Sequence, residues 1–377
     1  MRAASALSEH PLASHAVGEV AGTVLDAMQG EPIDVLVVFF HGSYVGPLED
    51  INRALHELLS PRHSIGCSAS GVIRNNSEVE FRQAISIWAA SGIGAEPYRI
   101  EADASAPITG WQSHWRNTIL LADPFARGLE NLFEDAARAA PELAISGGLA
   151  SAASGPGGNR FILDGQVFSD GAVGLALSGT EIQTVVSQGC RPVGDPKTVT
   201  RTAGEPDQPT NVITELASER ALDAVQNMAS NLDEEDKELL ARGLHVGVVI
   251  DEQLHDHATG DFLIRDVLGA DKDSGAIAIG TMIEVGTTVQ FHVRDAASAT
   301  DDLLRAVADH QAQAVLLFTC NGRGEHLFEE SDHDAEIVHG GTRSTATAGM
   351  FCAGEFGPIG KRNHIHGFTA SLMLFHV

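Results

Sequence analysis

Residues 35–73 read VLVVFFHGSYVGPLEDINRALHELLSPRHSIGCSASGVI. The run begins with six apolar residues, Val35 to Phe40, which is typical of a buried strand. After a break at His41-Gly42-Ser43, apolar side chains recur at helical spacing from Pro47 to Leu59, with two acidic residues in the first turn. The stretch therefore predicts a strand, a helix and a strand that enters a loop of small residues, with a further strand at 81–88.

The same order of elements recurs along the chain. A second copy comprises strands at 117–123, 143–151 and 171–177 with a helix at 129–139, and a third comprises strands at 314–320, 349–360 and 367–375. A looser fourth copy includes 244–250 and 289–294. Although alternating strands and helices are common in α/β proteins, we interpret the recurrence as internal duplication. The prediction is an α/β fold of repeated strand-helix-strand-strand units, with mixed sheets covered by helices.

The chain length predicts two domains, because 377 residues exceed what one hydrophobic core usually supports. Between Arg191 and Asn211 the sequence is rich in glycine and proline and poor in apolar periodicity, which favours a junction there. A helical pattern resumes from Val212 to Met228. We therefore expect domains at 31–210 and 211–377, with glycine loops of both lining a ligand cleft.

Composition narrows the class of partner. The 51 acidic and 24 basic residues give a formal charge of -27, which repels nucleic acid and anionic membranes and favours solubility. The N-terminus lacks a secretory pattern, and no run approaches the about 20 apolar residues of a membrane span. The four cysteines are far apart, without a zinc or disulfide pattern. We expect a cytoplasmic protein.

Five segments carry a resemblance to a known family. Gly66–Ile73, Asp261–Arg265, Val289–Asp295, Cys320–Gly324 and Cys352–Gly360 resemble, in order, the signatures of FIST proteins. The resemblance implies a FIST N-terminal domain followed by a FIST C-terminal domain. It also implies a sensory module that recognises small molecules such as amino acids, and some members of the family are haem-binding gas sensors. Because the chain has no room for an output domain, signalling would pass to a separate protein such as a kinase or cyclase.

Two charged residues in these segments suit an amino-acid-like ligand. Arg323 lies between glycines and could bind a carboxylate through two nitrogens, while Glu355 could meet an ammonium group. The alternative is that Arg323 and Glu355 bond to each other or cap backbone groups. The predicted ligand-binding residues are Arg323, Glu355, Cys352, Gly354, Asn321, Cys67 and Ser68.

Other chemistries have weaker support. Cysteines 67, 320 and 352 each lie where a strand meets a loop, so a cysteine-dependent hydrolase is an alternative, but packing is the more common role of buried cysteine. The pairs His255/His257 and His364/His366 match no spaced ligand motif, so no metal is predicted. Haem remains open as a cofactor, since it needs one axial histidine and an apolar pocket. We expect a binding protein, not an enzyme.

Overall fold

The structure is a computed structural model that describes residues 1–101, 108–128, 131–204, 208–253 and 260–376. The chain packs as two compact units. The first comprises Met1–Ser187 and Leu303–Val377, and the second comprises Gln188–Asp302. The second unit is therefore inserted within the sequence of the first. This division by packing differs from the halves 31–210 and 211–377 expected from the sequence.

The elements follow in chain order. The first repeat contains β1 (Arg2–Ser8), α1 (Ala13–Met28), β2 (Val35–His41), α2 (Leu48–Leu59), β3 (His63–Ala69), β4 (Gly71–Arg74), β5 (Ser77–Glu80) and β6 (Ile85–Ser91). The second contains β7 (Gly94–Ile100), β8 (Asn117–Ala122), α3 (Leu132–Ala139), β9 (Ala144–Leu149), β10 (Phe161–Leu163), β11 (Gln166–Phe168) and β12 (Ala172–Ser178). The third begins with β13 (Glu181–Gln188).

The remaining elements belong to the second unit and to the rest of the third repeat. The second unit contains β14 (Cys190–Thr202), β15 (Thr210–Leu216), β16 (Glu219–Arg220), α4 (Ala221–Asn231), α5 (Glu234–Arg242), β17 (Leu244–Val249), β18 (Phe262–Asp271), β19 (Ala276–Ile283) and β20 (Thr288–Arg294). The third repeat then resumes with α6 (Ala296–Val307), β21 (Ala314–Cys320), α7 (Glu325–Phe328), α8 (His333–Thr342), β22 (Ala346–Cys352), β23 (Glu355–Ile359), β24 (Arg362–His366) and β25 (Thr369–His376).

The three repeats form three six-stranded sheets of the same topology. Their strand orders are β1-β6-β2-β3-β10-β11, β7-β12-β8-β9-β23-β24 and β13-β25-β21-β22-β4-β5. In each sheet the first and second strands of the predicted unit are parallel, and the last strand of the unit is antiparallel to the first. The mixed α/β architecture and the three clear copies predicted from the sequence are therefore confirmed.

Each repeat also gives a hairpin to the sheet of another repeat. The β4–β5 hairpin of the first repeat pairs with β22 of the third. The β10–β11 hairpin of the second pairs with β3 of the first, and the β23–β24 hairpin of the third pairs with β9 of the second. The exchange is cyclic, so the three repeats form one unit.

Burial on both faces explains the continuous apolar runs. In β2, Val37 and Phe39 face a core shared by all three sheets, whereas Val38 and Phe40 face a second core against α1 and α2. The outer faces of the other sheets pack in the same way, against α3 in the second repeat and against α6 and α8 in the third. A strand covered on both sides has no polar face, and the alternation of a half-exposed strand is lost.

One glycine recurs at the same place in each repeat. Gly66, Gly147 and Gly349 each lie opposite the fourth residue of the neighbouring first strand. A Cβ added at these positions would lie 2.2, 1.9 and 2.2 Å from the carbonyl oxygen of that residue. Only glycine permits this approach of the two backbones. The shared position supports the internal duplication.

The second unit is an antiparallel barrel and not a fourth copy. Its strand order is β14-β20-β17-β18-β19-β15-β16, and β14 also pairs with β15, which closes a ring of six strands. The segments 244–250 and 289–294 are adjacent antiparallel strands within this ring, so the looser fourth copy is wrong. The segment 191–211, expected to be rich in turns, is largely a strand. It contains most of β14, whose register shifts between Val193 and Lys197, where Gly194 and Pro196 occur.

Candidate functional site

The predicted ligand loops of the third repeat lie at the carboxyl ends of two parallel strands. Cys320 ends β21, Cys352 ends β22, and the two are partners in the ladder. The backbone N–H of Asn321 donates to the carbonyl oxygen of Cys352 at 2.8 Å. Because the carboxyl ends of parallel strands meet at one edge, this geometry brings Arg323 and Glu355 into the same buried cluster.

Arg323 is fully buried, and one edge of its guanidinium is already occupied. Its Nε donates to Oδ2 of Asp334 at 2.7 Å, and its Nη2 donates to Oδ1 at 2.8 Å. The remaining nitrogen, Nη1, makes a longer hydrogen bond of 3.5 Å to the carbonyl oxygen of Phe368. The two-nitrogen binding expected for a ligand carboxylate is therefore made with Asp334.

Asp334 is an anion in this pair. Burial alone would raise the pKa of its carboxyl, but the charge and hydrogen bonds of Arg323 lower that pKa below its usual range. His333 Nδ1 lies 3.0 Å from Oδ1, and the Thr319 hydroxyl donates to Oδ2 at 2.6 Å. Asp334 thus fixes the guanidinium in one orientation.

Glu355 is a partly unsatisfied member of the cluster, as are Glu78 and Glu80, whose Oε2 atoms are also buried without a hydrogen-bond partner. Its Oε2 accepts hydrogen bonds from the Thr369 hydroxyl at 2.7 Å and from the Thr369 backbone N–H at 3.2 Å. Its Oε1 is buried and accepts no hydrogen bond from a nitrogen or hydroxyl group. Burial raises the pKa of Glu355 to about 8, although Thr369, the charge of Arg323 and the Cys320 thiol oppose the rise. A large share of these side chains is therefore neutral at pH 7.

The cysteines of the cluster are buried thiols. Burial raises the pKa of Cys67, and it raises that of Cys352 together with the nearby Glu355. The Cys67 sulfur lies 3.3 Å from the sulfur of Met350, and the Cys352 thiol is 3.8 Å from the Met350 carbonyl oxygen. A protonated thiol is a weak nucleophile, so these surroundings favour packing over covalent chemistry.

Two further glutamates come from the exchanged hairpin of the first repeat. Oε1 of Glu78 accepts from the backbone N–H of Ala335 at 2.9 Å, at the start of α8. Oε1 of Glu80 accepts from the backbone N–H of Glu325 at 2.9 Å, at the start of α7. Burial raises the pKa of both Glu78 and Glu80. The hairpin therefore holds the two helices that follow the Arg323 loop.

The comparisons with known proteins divide the chain into two family domains, whose boundary lies within the second compact unit. Residues 34–219 match the FIST N domain, and residues 221–358 match the FIST C domain. The chain belongs to the FIST family. FIST domains are associated with sensory signal transduction and small-ligand binding.

Full-length relatives of this FIST chain occur in mycobacteria. An uncharacterized protein of Mycobacterium tuberculosis is 37% identical over 388 residues and covers 100% of both chains. An uncharacterized protein of Mycobacterium bovis is 36% identical over 387 residues, covering 100% of this chain and 99% of the relative. The resemblance thus includes both FIST domains.

The FIST structure separates one predicted residue from the rest. Ser68 follows Cys67 in β3, so its side chain is on the opposite face of the strand. Its hydroxyl accepts from the Arg160 backbone N–H at 3.0 Å and donates to Asn159 Oδ1 at 3.4 Å. Gly354 is in the turn between β22 and β23, and its carbonyl oxygen accepts from the Leu149 N–H at 2.8 Å.

The sequence analysis missed four residues of the buried cluster around Arg323 and Glu355. They are Asp334, Glu78, Glu80 and Thr369. Asp334 lies in the first turn of α8, where acidic residues are common for reasons of helix stability, so its position gave no signal of a site. Glu78 and Glu80 lie more than 240 residues from their partners. A local pattern could not reveal such contacts.

The histidine pairs of this FIST chain provide no metal site in the part that the structure describes. No group of three or more His, Cys, Asp or Glu residues there has the geometry to hold a metal ion. His366 Nε2 lies 2.9 Å from the Gly357 carbonyl oxygen, and its ring is 6.0 Å from that of His364. His255 and His257 lie outside the described residues. None of the described helices has the length and apolar character to cross a bilayer.

Proposed function

We propose that this FIST chain is a cytoplasmic sensor whose ligand is an amino-acid-like small molecule bound between Glu355 and Arg323, and that it signals to a separate output protein. The observation that carries the proposal is the buried Oε1 of Glu355, which accepts no hydrogen bond from a nitrogen or hydroxyl group although the charge of Arg323 acts on this carboxyl. Buried polar atoms are nearly always hydrogen-bonded, so an orphaned carboxyl oxygen requires an explanation. A ligand ammonium group would supply the missing donor.

Asp334 changes the way in which Arg323 can bind the ligand carboxylate, compared with the expectation from the sequence. Because it holds the Nε and Nη2 edge of Arg323, the ligand carboxylate would meet Nη1, whose present hydrogen bond to Phe368 is long. Asp334 is in this proposal a positioning residue that keeps the guanidinium charged and oriented. The ligand then contacts one nitrogen of Arg323 and one oxygen of Glu355.

Ligand entry requires the surrounding loops to move, because Arg323 and Glu355 are closed to solvent. Three residues without glycine's freedom have positive φ close to the site: Glu329 at 58°, Asp332 at 66° and Phe368 at 63°. Such backbone strain is concentrated at ligand clamps and switch regions. A binding step that rearranges these loops would couple ligand capture to a change that an output partner, such as a kinase or cyclase, detects.

Because the pKa of Glu355 is raised in the free protein, ligand binding should release a proton. An ammonium group beside Oε1 favours the ionised carboxylate, so binding at pH 7 releases a proton. Titration calorimetry in buffers of different ionisation enthalpy measures that release. Binding without proton release would contradict the role of Glu355.

The test is a thermal-shift screen of the purified chain against the common amino acids, related small carboxylates and haemin. A ligand bound by the native state raises the melting temperature, and we expect one amino acid to do so. Glu355→Gln removes the charge at nearly constant shape and should abolish the shift, whereas Glu31→Gln at an exposed position should preserve it. Arg323→Ala is a poor variant, since it leaves Asp334 buried without its cation.

The other outcomes each decide against the proposal. An unchanged shift in Glu355→Gln would place the ligand elsewhere. A response to haemin alone, with a Soret band that a histidine substitution removes, would replace it with the haem sensor.

We propose no catalytic function, which is supported by the raised pKa values of Cys67 and Cys352. The four free cysteines support a reducing compartment.

A further inference from the structure

A groove of about 660 Å³ lies along α2, beside the β10–β11 turn that the second repeat contributes to the first sheet. Gly165 and Val167 of the hairpin form one wall. The other wall is formed by five residues of one helix face, Glu49, Asn52, Arg53, His56 and Glu57. Their spacing of three, four, seven and eight residues places them along one side of α2. The groove is separate from the Arg323 cluster and uses none of its residues.

Asn52 is the buried polar residue of this groove. Only 3% of its surface is exposed, and its side-chain amide makes no hydrogen bond to any described residue. The amide is not among the fully buried polar atoms without a partner, so the small exposed part of Asn52 includes its amide, which opens onto the groove. Since Asn52 lines the groove, a polar ligand there would satisfy it.

The acidic side chains of the groove favour a positively charged ligand. Glu49 and Glu57 form no ion pair with the described part of the chain, whereas Arg53 is neutralised by Asp50. Burial lowers the pKa of His56, although the charge of Asp164 opposes the shift, so the imidazole is neutral at pH 7. The groove therefore presents two unpaired carboxylates and an amide, which is the environment that a cationic amine requires.

The spacing of the two glutamates along α2 indicates the length of the cation. Glu49 and Glu57 are eight residues apart, which is about 12 Å along the helix axis at 1.5 Å per residue. Asn52 lies between them, and Val167 provides an apolar surface. A linear molecule with an ammonium group at each end, methylene segments and an internal amine matches this order of groups.

We propose that the groove binds a linear polyamine of about the length of spermidine. Its terminal ammonium groups pair with Glu49 and Glu57, an internal N–H donates to Oδ1 of Asn52, and a methylene segment packs on Val167. A shorter diamine such as putrescine falls short of the backbone spacing of the two glutamates, so we expect the groove to prefer the longer amine.

Isothermal titration of the full chain with spermidine and with putrescine tests the proposal. We expect one spermidine site, with putrescine at least about tenfold weaker because it forgoes one charged contact. Glu49→Gln combined with Glu57→Gln should weaken spermidine by more than about tenfold, and Asn52→Ala by a smaller factor. Because all three side chains lie on the groove surface without partners in the fold, circular dichroism should show unchanged folding.

The control distinguishes spermidine binding in the groove from a general attraction of spermidine to an acidic protein. Glu31→Gln combined with Glu181→Gln changes the net charge equally at exposed positions elsewhere. Spermidine binding should survive in this variant. Equal weakening in both double variants, many weak sites in place of one, or equal affinity for putrescine and spermidine would each overturn the proposal.

Discussion

Replacing Glu355 with glutamine should change how the stability of the first unit depends on pH. Burial raises the pKa of this carboxyl from its ordinary 4.5 to about 8 in the folded protein. Between these two values the folded state retains a proton that the unfolded state has released. Stability therefore falls as the pH rises from 4.5 to about 8, and glutamine, which does not ionise, removes this dependence.

The magnitude follows from the size of the shift. One pKa unit corresponds to about 1.4 kcal/mol, so the carboxyl of Glu355 costs about 1 kcal/mol of unfolding free energy at pH 5 and about 4 kcal/mol at pH 8. We expect Glu355→Gln to gain about 3 kcal/mol relative to the natural chain over that interval. The other acidic side chains are common to both proteins, so their contributions cancel in the difference.

Urea unfolding followed by tryptophan fluorescence is a suitable assay. The chain has three tryptophans, Trp88, Trp111 and Trp115, and all lie in the first unit, so the signal reports on the unit that contains Glu355. Curves at pH 5, 6, 7 and 8 give the difference in unfolding free energy at each pH. The exposed Glu31→Gln variant serves as the control, and its difference should stay constant.

Parallel curves for Glu355→Gln and the natural chain would refute the reasoning. That result would mean that Glu355 is ionised at pH 5 in the folded protein, so its Oε1 has a partner in solution. The gain should also disappear when a saturating amino acid occupies the site, because an ammonium group stabilises the carboxylate.

Three further predictions concern the same cluster. Asp334→Asn should lower the unfolding free energy by about 3–5 kcal/mol in urea titrations, because it leaves a buried guanidinium without its anion; a loss below about 1 kcal/mol would contradict this. Gly324→Ala should cost more than about 2 kcal/mol, since φ is 64° and a Cβ would lie 2.3 Å from Glu80 Oε1, and a melting temperature equal to that of the natural chain would disprove it. Cys67 and Cys352 should resist iodoacetamide at pH 8 until urea unfolds the protein, as followed by mass spectrometry, because burial raises the pKa of both thiols; rapid labelling of the native chain would be inconsistent with this burial.

The sequence predicted the repeat because its signal is local. The run from Val35 to Phe40 is apolar at every position since its two faces enter different cores, and the helix after it shows its phase within two turns. Both patterns follow from burial of a single element and need no knowledge of the partner. The copies at 117–123 and 314–320 were visible for the same reason, and the structure confirms them.

The barrel of the second unit shows where such patterns fail. Its strands are covered on one side and contain bulges, so β14 combines Pro192, Gly194 and Pro196 with apolar residues that are too sparse to indicate a strand. Prolines and glycines at a bulge or barrel bend have the same composition as a loop. Only the pairing of β14 with β20 and β15 distinguishes the two.

By itself the sequence determined the three repeats and the family, and it drew attention to Arg323, Glu355 and the cysteines. The tertiary structure alone decided that Asp334 binds the guanidinium, that Glu78 and Glu80 come from another repeat, and that Oε1 of Glu355 accepts no hydrogen bond from a nitrogen or hydroxyl group. The hairpin exchange joins residues more than 240 positions apart, and its register depends on which sheet edge is open in the folded protein. No periodicity within one segment encodes that choice, because the energy that fixes it comes from contacts formed between segments.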